Sequence, residues 1–478
     1  MSSLAIDRPL VVDLDGTLLR SDLLLESAFC FVRQYPRRAL APLPWLLAGR
    51  AHLKDKLAEA VVLNAASLPY NPQVLAFLQQ EKAAGRTLVL ATASHHRHAK
   101  AIATHLGLFD RVFASSADIN LSAHCKQDAL VSAFGEKGFD YVGNSRSDLV
   151  VWASSCKAYL ADPEFGVELA AKRQGNVESV LSKPQQPVRA WMKQLRLHQW
   201  VKNVLLLVPL LAAHRLLELP LLWAGLLAFL AFGLCASSVY LLNDLLDLED
   251  DRQQPKKCLR PLASGAVPIK SAVLAVPLLL VCAFALSSWL LPWKFTLALA
   301  GYYSLTLAYS LVLKRVMTVD VIALAMLYTA RIVAGTFAFG VPLTFWMLAF
   351  SMFLFLSLAL VKRYAELCAP HLQGHARAAS VRGYYPGDLS MVSALGAASG
   401  YLAVMVLALY IQDQGTIAQY RHPQLIWLAC PLLLYWITRA WMITHRGWMH
   451  EDPVVFAIKD RNSILTAVLF ALVFWLAL

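Results

Sequence analysis

PLVVDLDGTLL, residues 9–19, decides the fold of the first third of the chain. Leu10, Val11 and Val12 run straight into Asp13-Leu14-Asp15-Gly16-Thr17. A short apolar run closed by acids and a glycine reads as a buried strand that ends in a polar turn. The pattern recurs in GRTLVLATAS, residues 85–94, and in FDYVGNSRSD, residues 139–148. Helical stretches separate these runs, and strands alternating with helices predict a parallel, doubly wound sheet. This α/β domain is assigned residues 1–181, with residues 20–80 rich in helical pattern. SKPQQPVRA, residues 182–190, is rich in Pro and Gln and marks a linker over 182–192.

Beyond the linker the composition changes. Apolar stretches recur at 201–213, 221–242, 271–291, 295–313, 319–339, 343–361, 391–411, 424–443 and 463–478. Most approach the roughly 20 residues that cross a bilayer, which predicts an all-α bundle of nine transmembrane helices over residues 193–478. The whole chain is 58% hydrophobic and only 15% charged over 478 residues. A water-facing protein of that size has no room to hide so much apolar surface, which also excludes disorder and a disulfide scaffold. No CxxC pair occurs among the eight cysteines, so they read as reduced. The first residues lack a signal-peptide pattern, so the N-terminus is expected in the cytoplasm of a plasma (inner) membrane. With that start, the cytoplasmic connections carry thirteen Lys and Arg against three on the other side, as the positive-inside rule requires. The net charge of +12 is then assigned to the membrane face and to phosphorylated substrates, not to nucleic acid.

The first candidate site lies at the strand ends. Asp13 and Asp15, two residues apart, can divide the labour: one attacks phosphorus, the other gives and takes a proton. Thr92 offers a hydroxyl to a phosphate oxygen, Lys126 neutralises phosphate charge, and Asn144 and Asp148 have spacing suited to Mg²⁺. These motifs resemble those of the haloacid-dehalogenase-like phosphohydrolases over about residues 8–175. The resemblance implies Asp13 as nucleophile through an aspartyl-phosphate, Asp15 as acid/base, Mg²⁺ held by Asp13, Asp148 and the Asp15 carbonyl, and residues 20–80 as a helical cap over the site. Where the family's fourth motif usually opens Gly-Asp, this chain reads Gly143-Asn144, which shifts metal binding toward Asp148.

The second candidate site closes the second apolar stretch: NDLLDLEDDR, residues 243–252. If the helix persists, Asp244, Asp247 and Asp251 share one face at 100° per residue. Three carboxylates at a membrane edge are costly unless a divalent cation neutralises them, and Mg²⁺ in turn would bridge a diphosphate. Asn243, Lys257, Arg260, Tyr309, Lys314, Arg331, Lys362, Arg363 and Glu366 are the candidate substrate ligands. Asp320 and Arg331 fall on one helix face, Lys362 and Glu366 are spaced to pair, and Trp200 reads as an interfacial anchor. Asp452, Asp460 and Arg461 are placed at the cavity or its rim.

LRLHQWVKN (195–203) and the aspartate motif resemble the UbiA-type intramembrane prenyltransferases. Members that prenylate an aromatic ring carry a second Asp-rich motif, whereas YSLVLKRVMTVDV (309–321) is short of acids. PKKCLRPLASG (255–265), YSLVLKR and KRYAEL (362–367) look like decaprenyl-phosphate phosphoribosyltransferases. That branch implies phosphoribosyl pyrophosphate as donor, a polyprenyl phosphate as acceptor, and Mg²⁺ on Asp244, Asp247 and Asp251. With the phosphatase-like domain, the expectation is a two-step enzyme that transfers 5-phosphoribosyl to the lipid phosphate and then removes the 5-phosphate. An aromatic prenyltransferase, or a transferase with an inactive regulatory phosphatase-like domain, are the alternatives.

Overall fold

The computed structural model describes residues 8–117, 119–181, 187–372, 383–413, 420–449 and 452–478. Residues 182–186 of the linker, and the cytoplasmic-side cations Arg377 and Arg382, lie outside them. The chain forms two compact units: Met1–Leu195 with Tyr240–Pro277, and Arg196–Val239 with Leu278–Leu478.

The first unit is built on a six-stranded, all-parallel sheet ordered β3-β2-β1-β4-β5-β6. Its strands are β1 (Leu10–Val12), β2 (Leu88–His95), β3 (Arg111–Ser115), β4 (Asp140–Gly143), β5 (Ala158–Ala161) and β6 (Val177–Leu181). β1 lies between β2 and β4, with Leu10 opposite both Leu88 and Asp140. Helices cover both faces of such a sheet, so its central strands read as unbroken apolar runs. Alternation along β1 divides the interior: Leu10 and Val12 pack with Leu88, Leu90 and Val142, and Val11 packs with Val89, Tyr141 and Trp152. Chain order runs outward from β1 in one direction and then the other, so a crevice opens beyond the carboxyl ends of β1 and β4.

Between β1 and β2 the chain forms α1 (Leu23–Gln34), α2 (Pro42–Leu47), α3 (Arg50–Ala60) and α4 (Pro72–Ala83). Asp22 caps α1 by accepting from the Leu25 N–H at 3.1 Å. Phe31, Leu53, Leu57 and Val61 form a separate small core, with Trp45 against it; this is the helical cap. After β2 come α5 (His96–Leu106), between β2 and β3, and α6 (His124–Phe134), between β3 and β4.

The second unit is helical. Its core sets Leu206, Phe232, Phe295, Leu299, Tyr302 and Phe339 together. Small residues permit close passage: a Cβ on Gly335 would collide with the Leu206 carbonyl oxygen.

Among the described residues six helices are long and apolar enough to span a membrane: Leu219–Leu246, Ile269–Leu290, Val319–Phe339, Phe345–Cys368, Pro386–Gln412 and Pro423–His445. A bent pair, Pro453–Lys459 with Arg461–Ala477, turns by 78° and makes seven if it counts as one span. The nine expected stretches are all helical, yet three differ from simple spans. The first is a 3₁₀ run, Leu197–Leu207, continued by Val208–Ala212. The helix Trp293–Leu311 carries Lys294, Tyr302, Tyr303 and Tyr309, which lower its apolar character. The last is only 17 residues long.

Candidate functional site

At the carboxyl end of β1 the backbone N–H of Asp13 donates to the Val142 carbonyl at 2.9 Å, which ties the first acid to β4. Lys126, on α6, donates from Nζ to Asp13 Oδ1 at 2.8 Å and to the Tyr141 hydroxyl at 3.0 Å. Tyr141 in turn donates to Asp148 Oδ1 at 2.8 Å. The other Asp148 oxygen accepts from the Asn144 and Ser145 N–H groups at 3.1 and 2.9 Å, and from the Ser145 hydroxyl. Asp13, Lys126, Tyr141 and Asp148 therefore make one buried, hydrogen-bonded chain across the strand ends. The lysine charge stands between the two carboxylates, 3.8 Å from Asp148, which limits their repulsion. Lys137, by contrast, donates to the carbonyls of Ala153 and Ser155.

Asp15 faces elsewhere. Its carboxylate accepts from the Leu23 N–H at 2.8 Å and from the Ser94 hydroxyl at 2.6 Å. Burial pushes the Asp15 carboxyl up to about 7, helped by Asp22, while Ser94 opposes the shift. Asp13 is pushed up to about 6, again chiefly by burial, with Lys126 pulling the other way. For Lys126 burial disfavours the charge, but Asp13 and Asp148 outweigh it and the ammonium is held above its ordinary value. Thr92 Oγ1 accepts from the Ser94 N–H at 3.0 Å. Asn144 accepts from the Thr17 hydroxyl at 3.2 Å. Gly16 has φ of +77°, and a Cβ there would collide with the Asn144 amide nitrogen, so this turn tolerates only glycine without rearrangement.

The Asp-rich motif lies in the same unit. Its helix does not run on straight: it ends at Leu246, and Asp247 becomes the cap of the short Leu248–Gln253 helix, with φ of −101° and ψ of 15°. Backbone bonds Asp247 N–H to Asn243 and Asp251 N–H to Asp247 keep the turn spacing through the break. Asp244 and Asp251 are joined by one guanidinium: Arg260 Nη1 donates to Asp244 Oδ1 at 3.1 Å and to Asp251 Oδ2. Lys257 stands 4.0 Å from Asp251. Gln194 donates to Asp244 Oδ2 at 2.8 Å and accepts from the Leu262 N–H at 3.0 Å, fixing the loop that carries Arg260. Burial raises the Asp251 carboxyl and Arg260 counters it.

The second unit has its own polar group. Asp452 Oδ2 accepts from Lys202 at 2.7 Å and Lys362 at 3.2 Å, and Tyr328 donates to the same carboxylate at 3.1 Å. Arg331 donates to the Tyr302 hydroxyl at 2.8 Å and to Asn203 at 3.3 Å, and stacks over the Tyr328 ring. Two lysines share the Asp452 carboxylate, and Arg331 lies beyond the Tyr328 ring.

Asp320 and Arg331, placed on one helix face, take different partners: Asp320 holds the fully buried Arg363 and accepts from Tyr384, while Arg331 bonds Tyr302 and Asn203. Glu366 pairs with Arg363, not with Lys362, because Lys362 is drawn to Asp452. Asp460 binds Arg439 and caps the last helix. Trp200, read as an interfacial anchor, packs its ring on Gly233 and donates its N–H to Ser237 at 2.9 Å. Tyr309 is half-buried in the apolar core, and Lys314 lies in the turn Leu313–Arg315. Tyr141, Ser94, Gln194 and Lys202 were not singled out from the sequence. Lys202 had a signal, a lysine inside an apolar run. Tyr141 had none, since it sits within a strand of ordinary composition.

The metal question turns on donor chemistry. Asp13, Asp148, the Asn144 amide and the Asp15 carbonyl offer oxygen alone, the donor a hard divalent cation takes. Among the described residues no group of three His, Cys, Asp or Glu side chains converges; at the Asp-rich motif Asp244 and Asp251 meet through Arg260. Mg²⁺ usually needs only one or two carboxylates beside substrate phosphates. Asp244 and Asp251 fit that rule, and the Arg260 guanidinium stands where positive charge is wanted.

Fold and sites together define a multi-pass membrane enzyme of the transferase type that carries a phosphohydrolase-like domain. Residues 204–459 match the UbiA prenyltransferase family and residues 10–151 match the haloacid dehalogenase-like hydrolases. The chain belongs to the UbiA prenyltransferase family and has a haloacid dehalogenase-like domain at its N-terminus. It is 35% identical to the protein y4nM of Sinorhizobium fredii over 98% of this chain and 91% of that one. It is 36% identical to the nodulation protein NoeC of Azorhizobium caulinodans, over 60% of this chain and 92% of that one. Decaprenyl-phosphate phosphoribosyltransferase of Mycobacterium tuberculosis is likewise 36% identical, over 60% of this chain and 94% of that enzyme. Among solved structures, a UbiA homolog from Archaeoglobus fulgidus bound to DMAPP and Mg²⁺ aligns at 17% identity, covering 60% of this chain and 98% of that one with a TM-score of 0.44.

Proposed function

We propose that the protein transfers the 5-phosphoribosyl group of phosphoribosyl pyrophosphate to a polyprenyl phosphate, and that its N-terminal domain then hydrolyses the 5-phosphate to leave polyprenyl-phosphoryl-ribose. The observation that carries this reading is the likeness of the membrane half to a decaprenyl-phosphate phosphoribosyltransferase, joined on one chain to a buried Asp13–Lys126–Tyr141–Asp148 array. Functional domains of 1–181 and 193–478 around a 182–192 linker, nine membrane segments, and a cytoplasmic face for both sites complete the proposal.

In the transfer step the bond from C1 of ribose to the diphosphate breaks, and a bond from C1 to an oxygen of the lipid phosphate forms. Pyrophosphate leaves. Asp244, Asp247 and Asp251 would hold Mg²⁺, on which both families generally depend; bound there, it would neutralise the departing diphosphate. Arg260 and Lys257 bind the same anion from the loop that follows. In the second unit, Lys202, Lys362 and Arg331 are the cations assigned to a substrate phosphate. Asn243, Tyr309, Lys314, Arg363 and Glu366 are assigned to positioning. The lipid tail needs no polar contact.

In the hydrolytic step Asp13 attacks the 5-phosphate while Asp15, partly protonated near neutral pH, gives its proton to the departing ribose oxygen. Water then displaces phosphate from Asp13, with Asp15 taking the proton back. Lys126 and Thr92 hold phosphate oxygens. Asp13, Asp148, Asn144 and the Asp15 carbonyl would hold Mg²⁺, whose charge would offset that of the phosphoryl group.

The test supplies phosphoribosyl pyrophosphate and polyprenyl phosphate and takes the mass of the lipid product. Wild type should yield the ribose lipid and Asp13→Asn its 5-phosphorylated precursor. Absence of that precursor from the variant would refute the two-step reading. Asn144, in place of a carboxylate, favours a second reading in which the first domain is inactive; wild type would then itself accumulate the 5-phosphorylated lipid.

A further inference from the structure

The cap between β1 and β2 carries a surface that neither proposed reaction uses. Residues 36–50, PRRALAPLPWLLAGR, contain α2 and the turns on either side. Leu40 is 74% exposed, Leu43 58%, Leu46 48% and Leu47 90%. Four leucines in eight residues left to water are unusual for a folded surface and mark a contact site. Their surroundings are basic. From Arg33 to Lys54 the chain has Arg33, Arg37, Arg38, Arg50 and Lys54, and no acid lies between Glu26 and Asp55. Arg37, Arg38 and Arg50 are exposed beside the leucines. Trp45, half-buried, rests edge-on against Phe31 with ring centroids 5.3 Å apart.

A second observation concerns where this segment begins. It follows α1 directly, and α1 lies along the end of a candidate span. Phe29, Cys30 and Arg33 share a crevice with Leu245, Leu246 and Leu248, and Arg33 pairs with Asp250. Leu246 is the last residue of the 28-residue helix Leu219–Leu246. The exposed leucines therefore follow a helix that packs against the end of a candidate span.

We infer that residues 36–50 lie in the headgroup layer of an anionic bilayer, with Leu40, Leu43, Leu46 and Leu47 among the acyl chains and Arg37, Arg38 and Arg50 on lipid phosphates. Short apolar segments flanked by Arg and carrying a Trp bind such interfaces through buried area and charge together. Charge complementarity selects lipid over a second copy of this chain, whose matching surface would be equally basic. The inference stands apart from the two-step reaction, because it needs no turnover.

Hydrogen exchange of the full chain in nanodiscs tests it. Backbone exchange across residues 38–48 should be at least fivefold slower in discs containing phosphatidylglycerol than in phosphatidylcholine discs. The Arg37→Gln/Arg38→Gln and Leu43→Ser/Leu47→Ser variants should each remove most of that difference. Peptides from β2 should exchange alike in all samples, which confirms the fold. Equal exchange in both discs overturns the inference. So does slowing that tracks protein concentration and not lipid charge, since that outcome assigns the surface to a second copy.

Discussion

Replacing Glu26 by Leu should destabilise the first unit strongly, and replacing Arg252 as well should restore much of what is lost. The two side chains are 5% and 6% exposed. Both oxygens of Glu26 accept from Arg252, at 2.7 Å each. Arg252 Nε also donates to the Ala263 carbonyl at 2.9 Å, and Ser21 donates to Glu26. Removing one partner leaves a charge that is desolvated and only partly satisfied. That costs about 3–5 kcal/mol, whereas replacing a whole buried pair by apolar groups is often close to neutral. For a unit of this size each kcal/mol moves the midpoint by about 2–4 °C, so Glu26→Leu should lower it by about 6–20 °C. Arg252→Leu should act in the same range. The double variant should lose less than either single change. Pulse proteolysis of the detergent-solubilised full chain along a temperature series, read on β2 and α6 peptides, reports this unit separately. Losses that simply add in the double variant, or a single-variant loss below about 1 kcal/mol, would refute the argument.

Other outcomes follow from the same geometry. Burial, with help from nearby His95, pushes His98 down to about 4 from an ordinary 6.5. The folded unit therefore refuses a proton that the unfolded chain accepts, and as pH falls from 6.5 to 4 wild type should lose up to about 3 kcal/mol relative to His98→Gln; a pH-independent difference in their unfolding midpoints would count against it. Gly16→Ala meets both a positive φ and the Asn144 amide, and should cost about 2–5 kcal/mol by chemical unfolding, with part recovered when Asn144→Ala is added. Asp320→Ala leaves the fully buried Arg363 with Glu366 as its acidic partner and should cost about 1.5–3 kcal/mol in thermal stability, more than Asp320→Asn, which keeps an acceptor.

What could be read from the sequence and what could not divide on physical lines. Strand ends announce themselves, because an apolar run that stops on Asp13, Thr92 or Asn144 fits little else than the polar edge of a buried sheet, and the parallel order followed from them. Helical stretches in the membrane half were equally legible, since apolar length is a local property. Whether each one spans is less local: Trp293–Leu311 has the length and spends it on tyrosines and Lys294. Partners distant in sequence were out of reach. Glu26 and Arg252 are 226 positions apart, and nothing local distinguishes either from a solvated charge. The helix break at Asp247 was hidden for a related reason: i to i+4 spacing survives it, so the periodicity of the aspartates looks continuous even where the axis is not.

The membership of Tyr240–Pro277 in the first unit has a practical consequence. Cohesion there runs across the chain, through Glu26–Arg252, Arg33–Asp250 and Asp22–Lys270, so the tether at 182–192 is not what keeps the pieces together. A protein nicked there would co-purify as a noncovalent pair. Expression of residues 1–181 alone would instead strip α1 of its neighbours and bare a sticky, partly charged flank. Truncations intended to isolate the first domain should for that reason be made with residues 240–277 supplied in trans.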